Sequence, residues 1–179
     1  EETTRYDPCM SSSLYLKQIE VGPMQNFVYL VGDQNTKEAV VVDPAWDVKT
    51  VLEAAKTDGF QVTGALITHT HFDHFTGVND LLQATDGKIH IHKNEAEFLK
   101  GMSANLKKIS GGEKIKVGSV EIEFLHTPGH TPGSQCFLVN GKNLISGDTL
   151  FINACGRCDL PGGDAAEMFR SLSRLGELS

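Results

Sequence analysis

Thr68-His69-Thr70-His71-Phe72-Asp73-His74 places three histidines and one carboxylate within six positions, directly after the apolar run Gly64-Ala65-Leu66-Ile67. A short apolar run of this kind reads as a buried strand, and the histidines stand where it runs out. His69 and His71 are two residues apart. In an extended segment their side chains leave the chain on the same side, so both imidazoles can reach one cation. Asp73 and His74 lie past the expected bend and address a neighbouring point. Imidazole and carboxylate suit zinc, iron or manganese, and the absence of thiolates in the cluster argues against a structural zinc site. The competing reading is exposed loop histidines or satisfied core ones. The density of ligand-type side chains at one strand end outweighs it.

Two later stretches supply further candidates. Thr127-Pro128-Gly129-His130-Thr131-Pro132-Gly133 holds His130 in a turn stiffened by two Pro-Gly pairs, which aim the side chain at little cost in chain entropy. Asp148 follows Leu144-Ile145-Ser146-Gly147, another strand end, where a carboxylate between two cations can bridge them. Two metals about 3.5–4 Å apart can generate hydroxide at neutral pH and polarise a carbonyl.

Around these stretches the chain alternates strands and helices. Strands are expected over 14–21, 26–31, 39–42, 64–67 and 88–91, and in the second half over 114–117, 120–125, 135–139 and 144–146. The all-apolar Ala39-Val40-Val41-Val42 reads as a central strand covered on both faces. Asp47 caps a helix to about Thr57, with Val48, Val51, Leu52 and Ala55 on one face and Gly59 as its stop. A short helix carries Val78, Leu81 and Leu82. Asn94 caps another with Ala96, Phe98 and Leu99, and Asp164 a last one with Ala165, Met168, Phe169 and Leu172 turned inward. Residues 101–112 read as loop, and Asn140-Gly141 as a hairpin turn. The fold class is α/β, sheets layered with helices, in one domain over 14–179 preceded by a disordered or non-native lead over 1–13.

Composition excludes several classes. The 179 residues carry a formal charge of −7, which disfavours nucleic acid or an anionic membrane as partner. No apolar run approaches the ~20 residues that span a bilayer. No signal-peptide pattern opens the chain, so a cytoplasmic protein with reduced thiols at Cys9, Cys136, Cys155 and Cys158 is expected. Cys155-Gly156-Arg157-Cys158 lies in a glycine-rich loop rather than opening a helix, which argues against a redox pair.

His69-Thr70-His71-Phe72-Asp73-His74 with Gly77, then Gly129-His130-Thr131, then Gly147-Asp148-Thr149-Leu150-Phe151, resembles the metallo-β-lactamase superfamily, with Asp43 matching its first, structural aspartate. The resemblance covers roughly residues 14–175 and implies an αββα sandwich. It implies one metal on His69, His71 and His130, a second on Asp73 and His74, and Asp148 between them. His126, in the same run as His130, is read as structural or as a partner behind the ligands. His90 and His92 are read as ordinary strand histidines. The family pattern also has a last histidine beyond the helix and strand that follow Asp148, whereas all seven histidines here lie at or before position 130. That implies a domain lacking its last elements.

Within the superfamily, Gly147-Asp148-Thr149-Leu150-Phe151 followed by Cys155-Gly156-Arg157 is similar to glyoxalase II, which implies a thioesterase acting on an acyl-thiol such as S-acylglutathione. Arg157 would then contact the carboxylate of the thiol carrier, and Asp73 would orient the hydroxide. Two zinc ions, or iron and manganese in mixed occupancy, are the implied cofactors. Arg157-Cys158-Asp159-Leu160 also resembles glyoxalase II-like bacterial hydrolases and persulfide dioxygenases. The dioxygenase reading implies a single Fe(II) on His69, His130 and Asp148. A metal-binding domain without turnover is the third reading. Oligomeric state is not legible.

Overall fold

The computed structural model describes residues 13–178 apart from 103 and 104. The expected lead therefore lies, except for Ser13, outside the described residues, as do Cys9 and Met10. Two sheets stack face to face. The first runs in the order β1 (Leu14–Val21), β2 (Asn26–Asp33), β3 (Glu38–Val42), β4 (Gln61–Leu66), β5 (Lys88–His92), β6 (Leu106–Ile109). Its first three strands pair antiparallel; from β3 onward the pairing is parallel. The second sheet is wholly antiparallel: β7 (Lys114–Val117), β8 (Val120–His126), β9 (Gln135–Val139) and β10 (Asn143–Ile145). A two-stranded ribbon, β11 (Leu150–Phe151) and β12 (Ala154–Cys155), stands apart from both.

The residues that make β3 also make the core. Val40 and Val42 face the second sheet with Val31, Leu66, Ile122, Phe124 and Phe137. Ala39 and Val41 face the other way, toward α1 (Val48–Thr57) and α3 (Val78–Ala84), through Val48, Val51, Ala55, Val78 and Leu81. β3 is thus covered on both sides, as its unbroken apolar run requires. Each such buried Val, Leu or Ile contributes about 1.5–3 kcal/mol relative to exposure, so the two clusters dominate the stability. Asp47 caps α1 by accepting from the Thr50 N–H at 3.1 Å, and the chain leaves the helix through Gly59 at φ +81°. Asn140 and Gly141 both take positive φ and turn β9 back into β10, the hairpin their pairing predicts.

Three expectations are corrected. Residues 101–112 are not all loop, because Leu106-Lys107-Lys108-Ile109 adds β6 as a parallel edge strand. Two lysines in four residues hid it, and an edge strand tolerates them. Phe98 is exposed on its short 3-10 helix, Ala96–Met102, where Ala96 and Leu99 turn inward. In α4 (Ala165–Leu175), Ala165 and Phe169 face solvent and the helix docks through Met168 and Ser171. No helix of the described residues is long and apolar enough to cross a membrane.

One end of the sandwich collects the chain's special segments. β3 ends just before Asp43, and the parallel β4 beside it ends just before Ile67, Thr68 and His69, joined by the Asp43 N–H to Leu66 carbonyl bond at 2.9 Å. From the second sheet come the 127–134 turn between β8 and β9, and Asp148 just after β10. The carboxyl ends of parallel strands are where such folds build sites.

Candidate metal centre

The His69, His71 and His130 rings form a triangle, with centroids 4.8, 4.8 and 4.6 Å apart. One nitrogen from each lies within 4.8 Å of the others, a spacing that a single cation can span. His74 completes the cluster from α2 (Phe72–Phe75), its ring 4.2 Å from His69. Asp148 lies between the groups. Its Oδ2 is 3.3 Å from His130 Nε2 and 3.9 Å from His69 Nε2, while its Oδ1 is 3.2 Å from His74 Nε2. Asp73 Oδ2 stands 3.5 Å from that same His74 nitrogen.

The far side of three of these rings is anchored. His130 Nδ1–H donates to the Arg157 carbonyl at 2.7 Å. His74 Nδ1–H donates to Asp43 Oδ2 at 2.9 Å. Thr68 Oγ1–H donates to Asp43 Oδ2 at 2.6 Å, leaving its lone pairs to accept from His69 Nδ1–H at 3.0 Å. Each Nδ1 thereby carries a proton, and each Nε2 points into the cluster. His69 Nε2 and His130 Nε2 are buried with no hydrogen-bond partner. Orphaned, convergent imidazole nitrogens beside a carboxylate fit a metal ion, because burial without a partner is otherwise costly. Asp43 also falls within reach of His69 and His74 as a possible ligand group. Its oxygens, however, already accept from Thr68 N–H, Thr68 O–H and His74, so it acts behind the ligands rather than among them.

Charge reinforces the arrangement. Burial, helped by the neighbouring His74, holds His69 well below its ordinary pKa, and burial with His130 lowers His71. Burial also opposes charge on His74, but hydrogen bonds to Asp148 and Asp43 overcome it and push the ring up to about 10. His130 is raised despite burial by Asp148 and the Arg157 carbonyl. Burial would raise Asp148, yet the neighbouring His130 and His74 rings hold it far below the usual carboxylate range. The pocket thus attracts positive charge to the atoms that would bind a metal, and protons and metal compete there.

Several contributors were not singled out in the sequence. Asn26 Nδ2 donates to both Asp73 Oδ2 and the Asp73 carbonyl at 2.9 Å, fixing that carboxylate. Gln135 joins the sheets at the site, its N–H to the Thr68 carbonyl and its Nε2 to the Ile67 carbonyl. The Glu95 carboxylate meets Thr70 and Gly133. Only Thr68 had a local signal, its place beside the first histidine.

Arg157 sits at the site through its backbone. Its guanidinium forms an exposed two-point pair with Asp159, both bonds 2.7 Å. Gly156 before it is packed so closely that a Cβ would fall 1.9 Å from the Asp148 carbonyl oxygen and 3.0 Å from His130 Nδ1. His126 stacks on His92 at 4.0 Å and donates to the Pro132 carbonyl; neither ring enters the ligand groups. His90 packs on Phe124. Cys155 and Cys158 are free thiols.

Comparison with known proteins identifies the family. A persulfide dioxygenase, ETHE1, of Mus musculus mitochondria is 34% identical over 82% of this chain and 56% of its own. A hydroxyacylglutathione hydrolase-like protein of Homo sapiens is 33% identical over 86% of this chain and 52% of its own. The chain thus spans about half the length of each of these relatives. Among solved structures, TTHA1623 in a di-iron-bound form superposes with a TM-score of 0.78 at 31% identity, over 91% of this chain and 87% of that one. The family model described as the metallo-beta-lactamase superfamily matches residues 21–177. The chain belongs to the metallo-beta-lactamase superfamily, in the branch that includes hydroxyacylglutathione hydrolase-like proteins and persulfide dioxygenases.

Proposed function

We propose that this chain is a metal-dependent hydrolase that cleaves a thioester or related ester, S-acylglutathione or a similar acyl-thiol. The observation that carries the reading is the split of Asp148, whose two oxygens address two different sets of nitrogens. A carboxylate so placed supports two cations rather than one. His69, His71 and His130 would hold the first, Asp73 and His74 the second, with Asp148 between. Zinc, or iron and manganese in mixed occupancy, suits these donors. Bound there, the metal pair supplies a hydroxide nucleophile at neutral pH and polarises the acyl carbonyl.

The protein's own residues do the rest. Asn26 holds Asp73 Oδ2, leaving the other Asp73 oxygen to accept a hydrogen bond from the nucleophile and orient it. Asp43 and Thr68 hold the His74 and His69 rings in fixed orientations from behind, through their Nδ1 atoms. Arg157 would exchange its exposed, solvent-screened pairing with Asp159 for the carboxylate of the thiol carrier. Hydrolysis of S-lactoylglutathione by the metal-loaded protein tests the reading. Release of glutathione that disappears with chelation supports it, and a metal-replete protein inert toward acyl-thiols contradicts it.

One observation favours a second reading. Asp148 Oδ2 alone approaches both His130 and His69, the two-histidine, one-carboxylate set that suits a single Fe(II). This would make the chain an iron-dependent persulfide dioxygenase. Oxygen uptake with glutathione persulfide by the iron-loaded protein decides between the two.

A further inference from the structure

The metal-binding loops are tied together by a buried carboxylate that belongs to neither of them. Glu95 is 2% exposed and lies just past β5. Its Oε2 accepts from the Thr70 backbone N–H at 3.2 Å and, closer still, from the Thr70 hydroxyl. Its Oε1 accepts from the Gly133 N–H at 2.9 Å. Thr70 stands between His69 and His71, and Gly133 closes the turn that carries His130. One side chain therefore holds both halves of the triangle of histidines.

Other links between the two sheets stop short of the ligands. Gln135 binds the carbonyls of Ile67 and Thr68, both before His69. Among the described residues no direct hydrogen bond joins 69–71 to 128–134; Glu95 is the bridge. The fit is close on both sides. A Cβ on Gly133 would fall 2.4 Å from Glu95 Cγ, so the turn accepts only glycine while Glu95 is in place. The carboxylate forms no ion pair among the described residues, and its partners there are three neutral donors. Burying a carboxylate without a cation is costly, and hydrogen bonds from neutral donors offset only part of that cost.

We infer that Glu95 is a positioning residue for the metal centre, setting the separation between the His69–His71 loop and the His130 turn at which their nitrogens can share one cation. The inference rests on the metal-dependent reading above. Shortening the side chain or exchanging an oxygen for a donor breaks the bridge at a known point. In Glu95→Gln one amide oxygen can still serve Gly133, but the amide N–H groups then face the Thr70 donors.

The test is Co(II) binding to the full chain, followed by its visible spectrum and by titration, in wild type, Glu95→Gln, Thr70→Val and a core control, Val51→Ala. Thr70→Val removes only the hydroxyl arm and keeps the fold accessible should Glu95→Gln fail to fold. Glu95→Gln is expected to weaken Co(II) affinity about 10–100-fold and to alter the ligand-field bands, as losing a partner behind a metal ligand does. Thr70→Val should move both in the same direction by less. Val51→Ala should lower the melting temperature but leave affinity and spectrum unchanged. Wild-type affinity and spectrum in Thr70→Val together with a folded Glu95→Gln overturn the inference alone. Equal losses in Val51→Ala also overturn it, because general destabilisation then explains the effect. A wild-type protein that binds no Co(II), Zn(II) or Fe(II) overturns the functional reading and this inference with it.

Discussion

His126 and His130 lie four residues apart in one His-Thr-Pro-Gly-His run, and the fold treats them in opposite ways. His130 gives its Nδ1 proton to a backbone carbonyl and turns a buried, unpartnered Nε2 toward Asp148, His69 and His71. His126 gives its Nε2 proton to the Pro132 carbonyl and lays its ring flat on His92. The contrast extends to all seven histidines. His69, His71, His74 and His130 converge, whereas His90, His92 and His126 do not. An unpartnered nitrogen is not enough to tell them apart, since His90 Nδ1 also lacks a partner. It packs against Phe124, an apolar ring, and so has no second donor to share a cation with. Convergence of several lone pairs, fixed from behind, is what separates a ligand from a packed histidine.

The largest expected effect breaks the comparison directly. His69→Ala and His130→Ala should each lose bound metal and lower acyl-thiol hydrolysis by more than the ~100-fold typical of removing an outer partner. His126→Ala should keep both. Metal analysis of the three purified variants checks this, and metal retained after His130→Ala would reverse the assignment.

Next is the anchor behind the ligands. Asp43→Ala leaves the Thr68 N–H, the Thr68 hydroxyl and His74 Nδ1–H without an acceptor in the interior. Removing one partner of such a buried set costs about 3–5 kcal/mol, which a urea titration resolves. A variant as stable as wild type would mean that the three donors find other partners.

Much of the fold was legible because its signals are local. β1 and β9 fall at the expected residues, since alternation and bounding turns fix a strand within a few positions. The cap of α1 at Asp47 and the hairpin at Asn140-Gly141 are local for the same reason. The histidine cluster was legible as donor density at a strand end, and the fold brings every proposed ligand to one place. What stayed hidden are contacts between distant positions: Asn26 with Asp73, Glu95 with Thr70, and Gln135 with Ile67, separated by 47, 25 and 68 residues. No periodicity records which polar side chain will meet which loop. The exposed Phe98 and Phe169 misled for a related reason, because apolar character marks a buried face only where something packs against it. The Arg157 carbonyl, which the fold sets against His130 Nδ1, carries no sequence signal either.

A smaller effect separates the side chain of Arg157 from its carbonyl. Arg157→Ala keeps the carbonyl, so metal content should stay at the wild-type level. KM for a carboxylate-bearing acyl-thiol should rise several-fold, a loss of the size expected for one charged hydrogen-bonding contact. Metal lost from this variant would show that the side chain, and not the carbonyl, supports His130.

The smallest effect concerns the histidines outside the cluster. Burial lowers the pKa of His90 below its unfolded value. Well above pH 6.5 the ring is uncharged in both states and adds no pH dependence. As pH falls through about 6.5 the unfolded chain takes up the proton first, so stability declines until pH passes below the folded pKa. His90→Leu should flatten that part of the stability profile between neutral pH and pH 5. An identical slope in wild type and variant would place the acid sensitivity elsewhere.

Metal quantification on the purified wild-type chain tests the central claim most directly. With His69, His71 and His130 on one side of Asp148, and Asp73 and His74 on the other, about two equivalents of zinc or iron per chain are expected, as in two-metal hydrolytic sites. A chain that binds no metal when offered excess zinc or iron, with its histidines intact, would contradict the account.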